Sequence, residues 1–345
     1  MNKVVTIGLD LAKQVFQVHG VDAEGKTLFN RTLRRTELLP FFEKMPTCLI
    51  GMEACSSAYH WARQFVSLGH NVKLMPAVYV KAFVKRGKTD AIDAEAICDA
   101  VMHKNMRFVP VKTVEQQAFT MLLKVRALFV RQRTKTINAL RSHMAEFGIV
   151  VPTGVTRISA LLDILNDEND NRIPEVARAA LSGLSEEVEL LAARIEKLDE
   201  KMASEVKHDK EAQRLMTIPG VGKTTAGAIK AHVVDASAFK SSRDFSAWIG
   251  LTPKASGSGG KIRNGRISRA GNPVLRSLLY MGATSVLREN GKSESASPWL
   301  KKLMARRPFK VVAIAVANKM ARIIWALLRN GGTYHAPFEP NPATA

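Results

Sequence analysis

The stretch VVTIGLDLAKQVFQVHGVDAEGKTLFNRTL, residues 4–33, decides the fold of the first third of the chain. Its alternation of apolar and polar residues predicts short strands at Val4–Leu9, Val15–Val21 and Thr27–Leu33, with Asp22–Lys26 as a hairpin turn between the last two. Working outward, a helical stretch at about Glu37–Lys44 precedes an apolar strand at Cys48–Met52, a helix around Ser57–Leu68 and a strand at Asn71–Met75. Helical segments at about Val78–Lys85 and Asp90–His103 complete the unit. Hairpin strands followed by strand–helix alternation predict an α/β domain with a mixed sheet flanked by helices.

At 345 residues the chain has room for two domains, each with its own core. Lys and Arg total 51 against 31 acidic residues, a formal charge of +20, which calls for a polyanionic partner. Nucleic acid fits better than a membrane. The C-terminal tail is not basic, and no apolar run approaches the roughly 18 residues of a membrane span. The N-terminus lacks the apolar core of a signal peptide, so a cytoplasmic location is expected. Cys48, Cys55 and Cys98 are too few and too badly spaced for a zinc site or a disulfide framework, and are expected as free thiols.

Beyond the first unit, residues 115–147 form one long predicted helix. Between Gln116 and Ala145 it carries no acid, but it carries Lys124, Arg126, Arg131, Arg133, Lys135 and Arg141. A solvating helix face normally mixes signs, whereas a face of one sign favours a phosphate backbone as its neighbour. The polar run NDENDNR at 166–172 is a boundary signal. Next, Leu184, Val188, Leu191, Ile195, Leu198 and Met202 repeat at heptad spacing, a coiled-coil seam suited to an antiparallel pair within one chain or to a dimer. The expected divisions are an α/β domain at 1–112, a helical linker and coiled-coil region at 113–210, a mainly α-helical C-terminal domain at 211–332 and a disordered tail at 333–345.

Four carboxylates in the first division stand at the ends of predicted elements. Asp10 ends the first strand, Glu53 ends the fourth, and Asp90 and Asp93 lie three apart at the start of a helix, where both can face one way. Convergence of four such groups requires a divalent cation. Mg²⁺ or Mn²⁺ prefers oxygen ligands, and a pair of such ions clamps both oxygens of a phosphodiester displacement. For Asp90 and Asp93 helix capping is an equally good account, with Asp90 as the cap residue.

Two glycine-rich segments follow. MTIPGVGKTTAGAI (216–229) lacks the first glycine of a phosphate-binding P-loop, because Thr217 holds that place. It fits a helix-hairpin-helix instead, in which Gly220, Gly222 and Lys223 open a helix N-terminus toward a DNA phosphate; a plain tight turn is the alternative. KASGSGGKIRNGRISRAGNPVLR (254–276) holds Lys254, Lys261, Arg263, Arg266, Arg269 and Arg276 and no acid, and sets Ser258 among glycines. Nearby cations can activate a serine and stabilise a pentavalent phosphate, although SGSGG taken alone more often marks a flexible loop.

GLDLAK near the start, the GME strand end and KTDAIDA resemble the DEDD, RuvC-like domain of the IS-one-ten insertion-sequence transposases. IPGVG, GLTP and SGGK…RISRAGN resemble that family's C-terminal transposase domain, and the likeness extends to the IS-eleven-eleven branch. The resemblance covers roughly residues 3–330, in order and in spacing. It implies an RNase H-like (RuvC-like) N-terminal domain whose Asp10, Glu53, Asp90 and Asp93 coordinate Mg²⁺, and a Ser258 that forms a covalent phosphoserine link to DNA. It further implies donor and target DNA as substrates, a structured bridge RNA that pairs with both, and a homodimer assembling into a tetramer in which acids and serine come from different subunits. Ser256 departs from a clean assignment, being two residues away. Ser258 is preferred because it directly precedes GlyGlyLys. A Holliday-junction resolvase-like, metal-dependent nuclease without a covalent intermediate is the competing enzyme class, and an architectural nucleic-acid-binding protein is the non-catalytic one.

Overall fold

The alternation in residues 4–33 folds as a meander: β1 (Thr6–Leu11), β2 (Val15–Val21) and β3 (Thr27–Arg34) pair antiparallel in succession. Asp22 closes the second turn, its Oδ1 accepting from the backbone N–H of Lys26 at 2.8 Å. The chain then crosses through α1 (Arg35–Glu43) to β4 (Leu49–Glu53) and through α2 (Ala58–Ser67) to β5 (Asn71–Met75), both parallel to β1. The sheet order is β3-β2-β1-β4-β5, a mixed sheet consistent with the RNase H-like fold expected. The structure is a computed structural model describing residues 3–85, 87, 89–152, 154, 157–259, 261–290 and 297–335, and it divides into compact units at Met1–Val114 and Glu115–Ala345.

In the first unit, Ile7, Leu9, Ile50 and Met52 pack on one side with Phe42, Trp61 and Phe65 of α1 and α2. Each fully buried large side chain of this kind stabilises the fold by roughly 1.5–3 kcal/mol. The helix expected over Val78–Lys85 is only α3 (Ala77–Val80) continued by a 3₁₀ turn at Lys81–Phe83. After it, α4 (Asp90–Met102) lies across the opposite face of the sheet. That approach depends on Gly8 and Gly51. A Cβ on Gly8 would stand 2.1 Å from the carbonyl oxygen of Ala94, and one on Gly51 2.7 Å from Val101 Cβ.

In the second unit, α5 (Val114–Ala145) and α7 (Glu175–Lys207) run antiparallel. Leu181 shares a cluster with Leu140 and Met144, the Arg194 guanidinium lies over the Phe129 ring, Asp199 pairs with Arg126, and Met202 shares a cluster with Leu123. Each pair of numbers sums to nearly the same value, as an antiparallel pair in register requires. The heptad positions Val188, Leu191, Ile195 and Met202 are thereby buried within the chain. A short α6 (Ile158–Asn166), not anticipated from sequence, covers one end of this pair with Leu161, Leu162 and Leu165.

The rest is mainly helical: α8 (Lys210–Met216), α9 (Lys223–His232), α10 (Ser242–Ile249), α11 (Pro273–Asn290), α12 (Pro298–Arg306) and α13 (Phe309–Asn330). The serine segment is more regular than the flexible loop that SGSGG suggests. It is an antiparallel hairpin of β6 (Pro253–Ser258) and β7 (Lys261–Ile267), whose strand signal is masked in sequence by glycine and serine. By length and composition α13 would suffice to cross a membrane, yet Val312, Ala313, Val316, Ala317, Met320, Ala321 and Ile324 are buried in the unit's core. Of the expected tail, the Tyr334 backbone N–H donates to Thr217 Oγ1 at 2.9 Å, and residues 336–345 lie outside the described residues.

Because Gly8 faces helix backbone, Gly8→Ala must push α4 off the sheet. It is expected to destabilise the first unit by about 1–3 kcal/mol, read as a fall in thermal or urea midpoint, with a milder effect from Gly51→Ala.

Candidate active site

Asp10 and Glu53 stand side by side for a reason visible in the register. β1 and β4 are parallel with Gly8 opposite Gly51, so two residues further along each strand bring Asp10 and Glu53 to the same edge. Strand alternation puts both on the face that α4 covers. The first turn of α4 then supplies Asp90 and Asp93. Its cap is neither acid: Thr89 Oγ1 accepts from the Ile92 backbone N–H at 3.3 Å. Capping therefore does not occupy Asp90 or Asp93, and both lie where a helix N-terminus favours negative charge.

The four carboxylates act on one another electrostatically. Burial, followed by the charges of Asp93 and Asp90, raises the Asp10 carboxyl above its ordinary range, with partial relief from the Leu11 backbone N–H. Burial, followed by Asp10 and Asp93, raises Glu53. Among the described residues, no cationic side chain figures among the charges acting on either group. Among the described residues, no three acidic, histidine or cysteine groups close into a finished coordination cage. An all-oxygen donor set of mutually repelling carboxylates nevertheless fits a hard divalent cation.

The predicted cations fall into two groups. Arg126 makes a two-pronged pair with Asp199, its Nη2 2.8 Å from Oδ2, and so ties α5 to α7, whereas Arg141 donates to the Gly154 carbonyl at 2.7 Å and ties α5 to the segment that follows it. Lys124, Arg131 and Lys135 are exposed, and their spacing of seven and four sets them along one face of α5; Arg133 is half-buried. In the turn between α8 and α9, Gly220 (φ +83°) packs against α11, where a Cβ would meet the Gly282 carbonyl at 2.6 Å. Gly222 has open space around it and Lys223 is exposed, at the start of α9.

In the hairpin, Ser258 pairs with Lys261 next to the tip and Ser256 pairs with Arg263. Alternation assigns these four positions to one face. Lys254, Lys261, Arg263, Arg266 and Arg269 are exposed, while the Arg276 guanidinium donates to the Ile249 carbonyl at 2.9 Å and so braces the preceding helix. Sequence reasoning overlooked Thr89, Gly8 and Gly51. The signal for the two glycines was present as the repeated pattern Gly-x-acid, Gly8-Leu9-Asp10 and Gly51-Met52-Glu53.

The raised carboxyls have a thermodynamic consequence. The folded chain binds these protons more tightly than the unfolded chain, so stability falls as pH rises from the ordinary carboxylate range through the raised values. In EDTA at neutral pH, Asp10→Asn is expected to melt a few degrees above the parent, a gain of ~1 kcal/mol after solvent screening. The two should converge at acid pH. A variant that melts lower at neutral pH would contradict the repulsion.

The model of the Transposase IS116/IS110/IS902 family matches residues 212–297, and a transposase model for the DEDD domain of IS110 elements matches residues 7–149. A Sinorhizobium fredii protein named as a transposase is 45% identical over 336 residues, covering 97% of this chain and 86% of its own. A family 20 transposase of Pseudomonas aeruginosa is 44% identical over 330 residues, covering 95% and 98%. The transposase for insertion sequence element IS1111A of Coxiella burnetii is 38% identical over 336 residues, covering 97% and 92%. With likeness at this level running nearly end to end, the chain belongs to the IS110 family of DNA transposases, on its IS1111 branch.

Proposed function

We propose that the chain cleaves and rejoins DNA through a phosphoserine intermediate on Ser258, with Asp10, Glu53, Asp90 and Asp93 as the ligands of Mg²⁺ or Mn²⁺. The observation that carries this reading is the hairpin register, which sets Ser256 and Ser258 opposite Arg263 and Lys261 in a segment without acid. Attack by the serine Oγ forms an O–P bond as the bond from phosphorus to one sugar oxygen breaks; the serine proton is given up and the leaving oxygen gains one. Exchange follows when a sugar hydroxyl of the second DNA attacks the phosphoserine and releases the serine. One phosphoester replaces another at each step, so no nucleotide hydrolysis is required. Lys261 and Arg263 stabilise charge on the pentavalent phosphate. Bound at the four carboxylates, a divalent ion supplies Lewis acidity toward phosphate oxygens.

The outward face of Lys124, Arg131 and Lys135 holds a polyanion backbone, either DNA or a structured bridge RNA that pairs with donor and target. The α8–turn–α9 element serves as a helix-hairpin-helix, with the backbone N–H groups after Gly222 facing a phosphate without reading sequence. The working form is a homodimer assembling into a tetramer. Because the heptad seam is covered within the chain, dimerisation uses another surface.

Purified protein, element-derived RNA, Mg²⁺ and junction-labelled DNA are expected to yield a denaturation-resistant protein–DNA adduct. Ser258→Ala should abolish it and Ser256→Ala should leave it. Asp10→Asn or Asp93→Asn should reduce cleavage at least about a hundredfold, as loss of a metal ligand or charge-stabilising group does. Cleavage without any adduct would instead establish water as the nucleophile, the mode of a resolvase-like nuclease.

A further inference from the structure

Beside the base of the serine hairpin, α11, α12 and α13 border an open groove of about 1330 Å³. Leu251, Ile267, Ile314 and Ile323 make its apolar surface, and the rings of Tyr280 and Trp299 stand in its walls. Arg266, Arg269, Lys310, Lys319 and Arg322 also line it, with no Asp or Glu among the described lining residues. Trp299 keeps 42% of its surface exposed, and Lys319 Nζ lies 4.7 Å from its ring centroid. Arg269 holds a left-handed backbone, φ +55°, which an L-residue adopts only at a cost.

These features select among occupants. A patch for another protein chain is ordinarily depleted in lysine. Five cations around an apolar, aromatic cleft, with no carboxylate among its described lining residues, match the platform on which unpaired bases stack while the cations follow the phosphates. A base within a duplex is not free to enter. The groove also touches β7 at Gly265–Ile267, and Ile267 pairs with Pro253 at the hairpin base whereas Ser258 pairs with Lys261 near the tip. That separation is about 17 Å of strand, the reach of a few extended nucleotides.

We propose that this groove holds unstacked bases of the DNA strand whose phosphate lies at the hairpin tip, a single-strand-selective site set back from the point of cleavage. The choice of strand rests on the phosphoserine chemistry proposed for Ser258; the binding itself does not.

The test uses the full chain in EDTA, where no cleavage occurs, with fluorescein-labelled dT12 and a duplex of equal length. Trp299→Ala is expected to weaken dT12 binding about tenfold, the value of one lost stacking contact, and duplex binding less than about twofold. Trp299→Phe, which keeps a stacking face, should retain most of the affinity. The exposed Lys319→Gln probes the groove without touching the core and should lower the salt slope for dT12 by about one. Equal losses for single strand and duplex would overturn the proposal, as would unchanged dT12 binding. Unchanged dT12 binding with an altered sedimentation mass would mark a contact between protein chains, and a loss confined to rU12 would mark an RNA site. Since no serine chemistry enters this assay, a missing adduct leaves the binding result intact, and a failed groove leaves the adduct result intact.

Discussion

The governing constraint in the N-terminal unit is the contact between α4 and the two glycines beneath it. Gly8 meets the Ala94 carbonyl and Gly51 meets Val101 at distances that leave no room for a side chain. Everything at the carboxylate edge follows from that contact. It sets how near Asp90 and Asp93 come to Asp10 and Glu53, and so how strongly the four repel. Thr89 completes the arrangement by capping the helix, leaving both aspartates to the site. The cost, burial first and mutual repulsion second, is seen in the raised Asp10 and Glu53 carboxyls, and a bound divalent ion would offset it.

The second unit distributes its positive charge by a similar logic. Arg126, Arg141 and Arg276 are committed internally, to a carboxylate or to backbone carbonyls, where a planar guanidinium makes directed hydrogen bonds. Lys124, Arg131 and Lys135 face outward along α5, and Lys261 and Arg263 stand opposite Ser258 and Ser256 in the hairpin register. A charge count treats these residues alike. Their partners separate those that hold the fold from those available to a nucleic acid.

Glycine likewise does different work at neighbouring positions. Gly220 is required by its close approach to Gly282 of α11, a packing role, whereas Gly222 has nothing within reach of a Cβ and opens the start of α9. The same contrast separates the two serines from the glycines around them. Gly257 and Gly259 suppress the strand signal, yet Ser256 and Ser258 pair with Arg263 and Lys261 across the hairpin.

From residues 4–33 and the strand–helix alternation that follows, the sequence alone determined the mixed sheet, and with it that Glu53 ends a strand, that Asp10 lies in the last two residues of another, and that Asp90 and Asp93 begin a helix. Periodicity and turn chemistry are local, so they are legible without tertiary contacts. The family motifs and the excess of basic residues were legible for the same reason. Three matters were left to the tertiary structure: which partner covers the heptad seam, which arginines are already committed, and that α11, α12 and α13 border an aromatic, cationic groove. Each depends on contacts between residues tens of positions apart, such as Arg126 with Asp199 or Lys319 with Trp299. Separation along the chain carries no record of which surfaces meet.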